Sequence, residues 1–466
     1  MMTLPEAAKV AERLNLPSGG AALFATAVLV DAGVVKAEDP SQVVDRKKFA
    51  RQRGKRRAEA SEAELQQLRD STIRGLYFDG RRDITKVREA CGGGKVKIGS
   101  IEEEHVVLLA EPGDLYLGHI TPDTGDAQCL GNAVLDFLEE GIHVDTEQLR
   151  VVGCDGCKVN TGCNGGAIRV MENRLGRALQ WNICQLHGNE LPLRHLMEQF
   201  DGPTSGPNGW SGPIGRQLKT CRELPVKKFQ RIALELPDPD LDSGILSTDQ
   251  RYALDRARAI SAGDCTAELA ARDPGNETHS RWLTTGNRIM RLYVGTSRPS
   301  ATLKMMTRIV VQYYIPTWFD IKRRPRCTEG ARHLFASVQR SRCFPRKYRG
   351  VIEQYVQNNA FYAHPENLLL SMVTDDRAEV RRLAISRILV ARRLHEDDEG
   401  VRNFSIPPVN FLAQDYTEPP FPCHTQAVER HDMPSSELRP CSMSLAAPLD
   451  WKYPRFRAIR RQLNAT

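Results

Sequence analysis

Apolar residues recur along this chain with two periods, and the switch between them sorts the predicted elements. Across residues 149–200 an apolar run, LRVVGC, meets Asp155 and a Gly-rich turn, then an amphipathic helical stretch. A second apolar run, ALQWNIC, follows, and the segment closes on the helical NELPLRHLMEQF. Short apolar runs bounded by Gly and Asp predict strands, and the spacing of 3.6 between them predicts helices. Upstream, IRGLYF at 73–78 ends at Asp79-Gly80, a carboxylate followed by a turn residue. HVVLLAEPGD and LYLGHITP predict two more strands joined by a Pro-Gly-Asp turn. At 126–141, Ala127, Leu130, Val134, Leu135 and Leu138 recur at helical spacing, and Gly141 stops the segment.

The predicted order over residues 73–200 is therefore β-β-β-α-β-α-β-α. Three antiparallel strands, then a helical crossover to a strand lying parallel beside the first, is the RNase H-like arrangement, and crossover handedness leaves few alternatives. The expected fold class is α/β with such a mixed sheet. First and fourth strands are neighbours in that layout, so Asp79 and Asp155 emerge side by side. Two adjacent carboxylates repel unless a cation bridges them, which points to a divalent metal. The competing reading of Asp79 is a turn-forming Asp-Gly pair. Cys184-x-x-His187 follows the last strand, and with Cys154 and Cys157 it also spells a four-ligand set for structural Zn²⁺. The long, helix-containing spacer between the two pairs argues against zinc, and strand parity puts Cys154 and Asp155 on opposite faces.

Outside this region the pattern is helical. Residues 1–44 read as two or three short helices, with AALFATAVLV at 21–30 a packed helix too short to span a bilayer. RKKFARQRGKRR at 46–57 carries eight basic residues: Arg46, Lys47, Lys48, Arg51, Arg53, Lys55, Arg56 and Arg57. Such a block attracts phosphate backbone, acts as a nuclear import signal, or is a solvated linker before a helix at 58–70. After a loop-dense stretch at 201–239, helices are predicted near 248–261, 284–293, 301–314, 328–340, 348–358 and 365–393. Arg216, Lys219, Arg222, Lys227 and Lys228 cluster after the Gly-rich loop, as a DNA path or as plain surface charge.

Length and charge fit this picture. A chain of 466 residues holds two or three units, and 41% hydrophobic with 26% charged residues is a globular profile. The net charge of +7 is mild, so the distribution of basic residues says more than the total. The 12 cysteines fall at irregular spacings, and no signal peptide is visible; an intracellular, reducing location without a membrane is expected.

Asp79, Asp155, Cys184-x-x-His187 with Asn189 and Leu191 after it, and PCHTQAVER at 422–430 together resemble the hAT superfamily of DNA transposases. GCDG…NTG, LHGNELPLRHL, DGPTSGPNGWSGPIG and AHPENLL are similar to a group of transposon-derived animal proteins. The resemblance covers most of residues 20–430. It implies an RNase H-like core interrupted, before its last helix, by a large all-helical insertion, and a third catalytic carboxylate at Glu429. It also implies Mg²⁺ or Mn²⁺ held by Asp79, Asp155 and Glu429, with Cys184 and His187 supporting the site. DNA would be cut and joined by transesterification in the nucleus, with the chain acting alone or as a homo-oligomer. The expected divisions are an N-terminal helical module at 1–70, core at 71–200, insertion at 201–405, last core helix at 406–435 and a divergent tail at 436–466. Pro434 and Pro440 limit any helix after Glu429, and no zinc finger precedes the core. A second expectation follows: a catalytically inactive, domesticated or decayed transposase relative acting as a DNA- or protein-binding factor.

Overall fold

The alternating runs pair into a five-stranded sheet: β1 (Gly75–Cys91), β2 (Lys95–Glu111), β3 (Leu115–Ile120), β4 (Val151–Cys154) and β5 (Gln180–Ile183). Strand order is β3-β2-β1-β4-β5, with β2 antiparallel to both its neighbours and β4 and β5 parallel to β1. The computed structural model describes residues 4–14, 16–36, 44–69, 73–91, 95–111, 115–204, 209–235, 246–273, 281–394, 401 and 404–417. Glu429 and the rest of 418–466 lie outside the described residues.

Sixteen helices accompany the strands among the described residues. Before the sheet come α1 (Pro5–Arg13), α2 (Ser18–Asp31) and α3 (Arg46–Arg69). Within it are α4 (Ala127–Asp136), the one-turn α5 (Lys158–Thr161), α6 (Ala167–Leu175) and α7 (Gln185–Phe200). The remainder are α8 (Thr248–Ala262), α9 (Ala267–Ala271), α10 (Arg281–Gly295), α11 (Ala301–Ile309), α12 (Ile315–Arg323), α13 (Gly330–Ser341), α14 (Arg346–Asn358), α15 (Pro365–Val373) and α16 (Ala378–Leu394). A π-helical segment, Val310–Tyr314, makes α11, itself and α12 one continuous rod.

One face of the sheet is a closed apolar layer. Leu76 and Phe78 of β1, Val106 and Leu108 of β2, Val152 and Cys154 of β4 and Trp181 of β5 join one buried cluster. Leu130, Val134 and Leu135 of α4 and Ala167, Ile168 and Met171 of α6 complete it, so the period-2 and period-3.6 stripes meet each other. The opposite face turns toward the helical layer. There Leu186, Leu193, Leu196 and Met197 of α7 pack into a second cluster with Tyr313, Trp318, Phe319 and Val356.

The helical layer is tied back to β5 by buried bonds. The Tyr362 hydroxyl donates toward Asn182 Oδ1 at 2.6 Å and the Ile183 carbonyl at 2.9 Å. Gln180 Nε2 donates to Asn367 Oδ1 at 2.6 Å. Phe404, beyond the last helix, returns to stack on Trp181 with ring centroids 4.2 Å apart.

Three expectations are corrected, and the packed helix expected at 21–30 is found and refined. β1 does not turn at Asp79-Gly80; it runs on to Cys91, because Arg81–Cys91 pairs residue for residue with Lys95–His105. The basic block is no linker but the first half of α3, whose Phe49 is buried among alanines of α1 and α2. Helix α2 packs through Ala21, Ala22 and Ala25 and leaves Leu23 and Phe24 about 70% exposed, so its small side, not its large one, faces inward. The single helix expected over 365–393 is two, α15 and α16. Asp375 at the break accepts from the Arg377 backbone N–H at 2.9 Å, and Arg377 also reaches Asp415 at 2.7 Å.

Tyr362→Phe removes the donor that satisfies Asn182, a side chain with no exposure. Losing these buried hydrogen bonds from Tyr362 is expected to cost about 1–3 kcal/mol. Urea unfolding should show a lower midpoint at unchanged slope; an unchanged midpoint would remove these bonds from the account of how the layers are joined.

Candidate functional site

The pairing of β1 with β4 is short and fixes the site. Leu76 lies opposite Val152 and Tyr77 opposite Gly153. Carrying the same register two residues further sets Asp79 level with Asp155, just past the end of β4. Parity puts Tyr77 and Asp79 on the face away from Leu76 and Phe78, toward α7. Gly153 is required here by a close approach. A Cβ on it would sit 2.3 Å from the Tyr77 ring, and the Tyr77 hydroxyl meets the Cys154 carbonyl at 3.4 Å.

Asp155 is anchored within its own loop. Its Oδ1 accepts from Asn160 Nδ2 at 2.7 Å and from the Cys157 backbone N–H at 3.1 Å. Asn160 is buried, so its amide is a fixed strut rather than a passing contact. Asp79 is partly buried, and its carboxyl pKa is pushed up to about 7. Desolvation is the main cause, followed by the negative charge of Asp155, while a hydrogen bond from Gly80 opposes both and Glu104 adds a smaller repulsion. The Asp155 charge thus acts on Asp79, and that repulsion is what a bound cation would relieve.

Cys184 caps the start of α7, and His187 stands in its first turn. Burial pushes the Cys184 thiol up to about 12, so it is a neutral packing group at physiological pH. Burial lowers the His187 pKa, partly offset by the Asp155 charge, which keeps the imidazole neutral near pH 7. The loop glycine Gly156 lies beneath it: a Cβ there would be 3.5 Å from His187 Cδ2 and 3.3 Å from Asn359 Oδ1. Behind them is a small cavity of about 60 Å³ lined by His187, Gln185, Asn189, His333 and Tyr362 among others.

The remaining expected residues are placed as follows. Among the described residues no group of three or more His, Cys, Asp or Glu is arranged to hold a metal. Cys154 joins the buried cluster of the sheet and Cys184 the helical one, and among the described residues the C-x-x-C…C-x-x-H set forms no metal group. On α3, Arg46, Lys47, Arg51, Lys55 and Arg56 are exposed, Lys55 and Arg56 pairing loosely with Glu59 at 3.8 and 3.2 Å. Arg53 is different: it donates to the Leu16 carbonyl at 2.9 Å and Ser18 Oγ at 3.2 Å, and so ties α3 to the start of α2. The side chains of Lys48 and Arg57 lie outside the described residues, as does Glu429. Asn160 and Asn359 were missed from the sequence. Asn160 had a local signal, its place five residues after Asp155 in a Gly-rich loop; Asn359 had none, since it arrives from the helical layer.

The chain matches no protein-family model and no curated protein.

The folded chain holds the Asp79 proton up to about pH 7, whereas an unfolded carboxylate releases it near 3.8. The folded state therefore binds more proton between these values, and its stability falls as pH rises through that window. The contribution is complete below 3.8 and lost above 7. Asp79→Asn should abolish the decline, so that the melting temperature of the variant gains on the parent from pH 4 to pH 7.5. Parallel curves across that range would refute the assignment.

Proposed function

We propose that the chain is a hAT-like, transposon-derived nucleic-acid protein that cleaves and transfers DNA strands at Asp79 and Asp155. The observation that carries this reading is the β1–β4 register, which levels Asp79, within β1, with Asp155 just past the end of β4. The strand order β3-β2-β1-β4-β5, with two antiparallel neighbour pairs followed by two parallel ones, supports an RNase H-like sheet. In this reading the helices between α7 and Phe404 are the insertion, and Glu429 supplies a third acid.

The donor set fits a hard divalent cation: oxygen ligands only, mutually repelling, one of them anchored by an amide. Asp79, Asp155 and, by resemblance, Glu429 would hold Mg²⁺ or Mn²⁺, which when bound neutralises phosphate charge and stabilises a leaving oxygen. The protein's own residues set the stage. Asn160 and the Cys157 amide fix the Asp155 carboxylate in one rotamer. Neutral His187, over Gly156, offers a ring nitrogen to a phosphate oxygen or a nucleophile without adding a competing charge. The exposed basic side of α3 offers sequence-independent phosphate contacts, whose strength falls steeply with salt.

Nicking of supercoiled plasmid by the full chain, with Mn²⁺ and with Mg²⁺, tests the enzyme reading. Cation-dependent nicking is expected, reduced on the order of 10²-fold or more in Asp155→Ala. Equal nicking by both proteins, or none by the parent, would contradict it. DNA binding that persists in the latter case would favour the non-catalytic, domesticated relative.

A further inference from the structure

β1 and β2 extend far beyond their sheet. β4 pairs only with Gly75–Tyr77, and β3 only with Val106–Ala110. Past Gly80 and Val106, eleven more residue pairs continue, Arg81 with His105 through Cys91 with Lys95. Among the described residues this is a lone two-stranded ribbon, roughly 35 Å long at ~3.3 Å per residue. Ribbons of two strands are marginal in water by themselves, and this one carries large apolar groups in the open. Ile84 and Ile98 are 68% and 67% exposed on one face, and Ile101 is 44% exposed on the other.

Charge on the arm is segregated end from end. The distal part, 85–97, has four basic residues against a single acid. The root, 81–84 with 98–105, has four acids against two arginines. The face bearing Ile84 presents exposed Lys86 outward of the isoleucine and Glu102 directly across from it, with Glu104 nearer the root. A polyanion laid along the Ile84 face would meet Lys86 and then Glu102, beside Glu104 that Arg82 pairs at 3.7 Å. A second arm running the opposite way meets complementary charge at both ends.

We propose that the arm is a self-association device: two copies of the chain clasp their ribbons antiparallel, isoleucine face to isoleucine face. A two-fold axis near Thr85 sets Lys86 of each copy against Glu102 of the partner subunit and covers Ile84 of both. A ribbon face is roughly 35 Å by 10 Å, so the pair buries about 700 Å², below the 1,200–2,000 Å² of a stable interface. The contact is reversible, and because it is partly electrostatic it weakens with salt.

Sedimentation velocity of the full chain from about 1 to 100 μM tests this. The expected result is a concentration-dependent dimer that weakens between 50 and 500 mM NaCl, on the order of the screening change. Lys86→Glu and Glu102→Lys, both at exposed positions, should each weaken self-association about fivefold or more. The two variants mixed should dimerise as the parent does, since each then meets an opposite charge on its partner. That rescue separates contact between chains from attraction between Lys86 and Glu102 within one arm. Ile84→Ser, checked for folding by circular dichroism, should also weaken the dimer.

A chain that stays monomeric throughout overturns the proposal, as does a dimer indifferent to the arm variants but lost in Phe24→Ser, which would assign self-association to the exposed side of α2. Loss of duplex DNA binding in Lys86→Glu with no change in sedimentation would overturn it in favour of a nucleic-acid contact.

Discussion

Burial of one carboxylate beside another is the constraint on which the rest of this molecule turns: desolvation first, then the Asp155 charge, raises the Asp79 pKa. Three paired residues on β1 and β4 determine where Asp79 and Asp155 end up, and everything around them holds that register against the electrostatic cost. Gly153 lets the Tyr77 ring cross the strand, Asn160 fixes the Asp155 carboxylate, and the closed apolar layer beneath keeps Leu76, Phe78, Val152 and Cys154 facing down. A slip of one residue in either strand would turn that strand's acid toward the core. Burial, with the Asp155 charge beside it, raises the affinity of Asp79 for its proton and so costs folding stability at neutral pH.

The helical layer contributes by closing the second face. Its attachment to β5 is polar and buried, through Tyr362 with Asn182 and Asn367 with Gln180. Such bonds add modest net stability but specify one docking, because any other leaves amides unpaired. Asn359 and His187 are thereby brought over Gly156, so the site is assembled from the sheet and the helical layer together. Loosening that docking would disturb the site without touching either aspartate.

Much of this was legible in the chain. Alternation in LRVVGC and ALQWNIC gave the central strands, and helical spacing at Leu130, Val134 and Leu135 gave α4, because each stripe buries against the other. The arm was hidden for a physical reason. Asp-Gly usually turns a chain, but here Gly80 stays extended opposite Val106, and the pairing that keeps it so comes from β2. The start of α3 was hidden because one buried residue, Phe49, carries its packing, leaving no stripe to read. The break between α15 and α16 rests on Asp375, which accepts from the Arg377 backbone and side chain, with a further contact from Arg377 to the distant Asp415. Asn359 belongs to the same class: no local pattern announces a side chain whose role is set by how two layers meet.

Cation binding by the two acids tests the central claim most directly. Free Mn²⁺ can be counted by electron paramagnetic resonance in the parent, in Asp79→Asn, in Asp155→Asn and in the double variant. If the carboxylates share one ion, the parent binds, each single substitution removes most of the affinity, and the double is no worse than either single. Binding that survives both substitutions, or losses that simply add, would place the acids in separate environments and contradict the account.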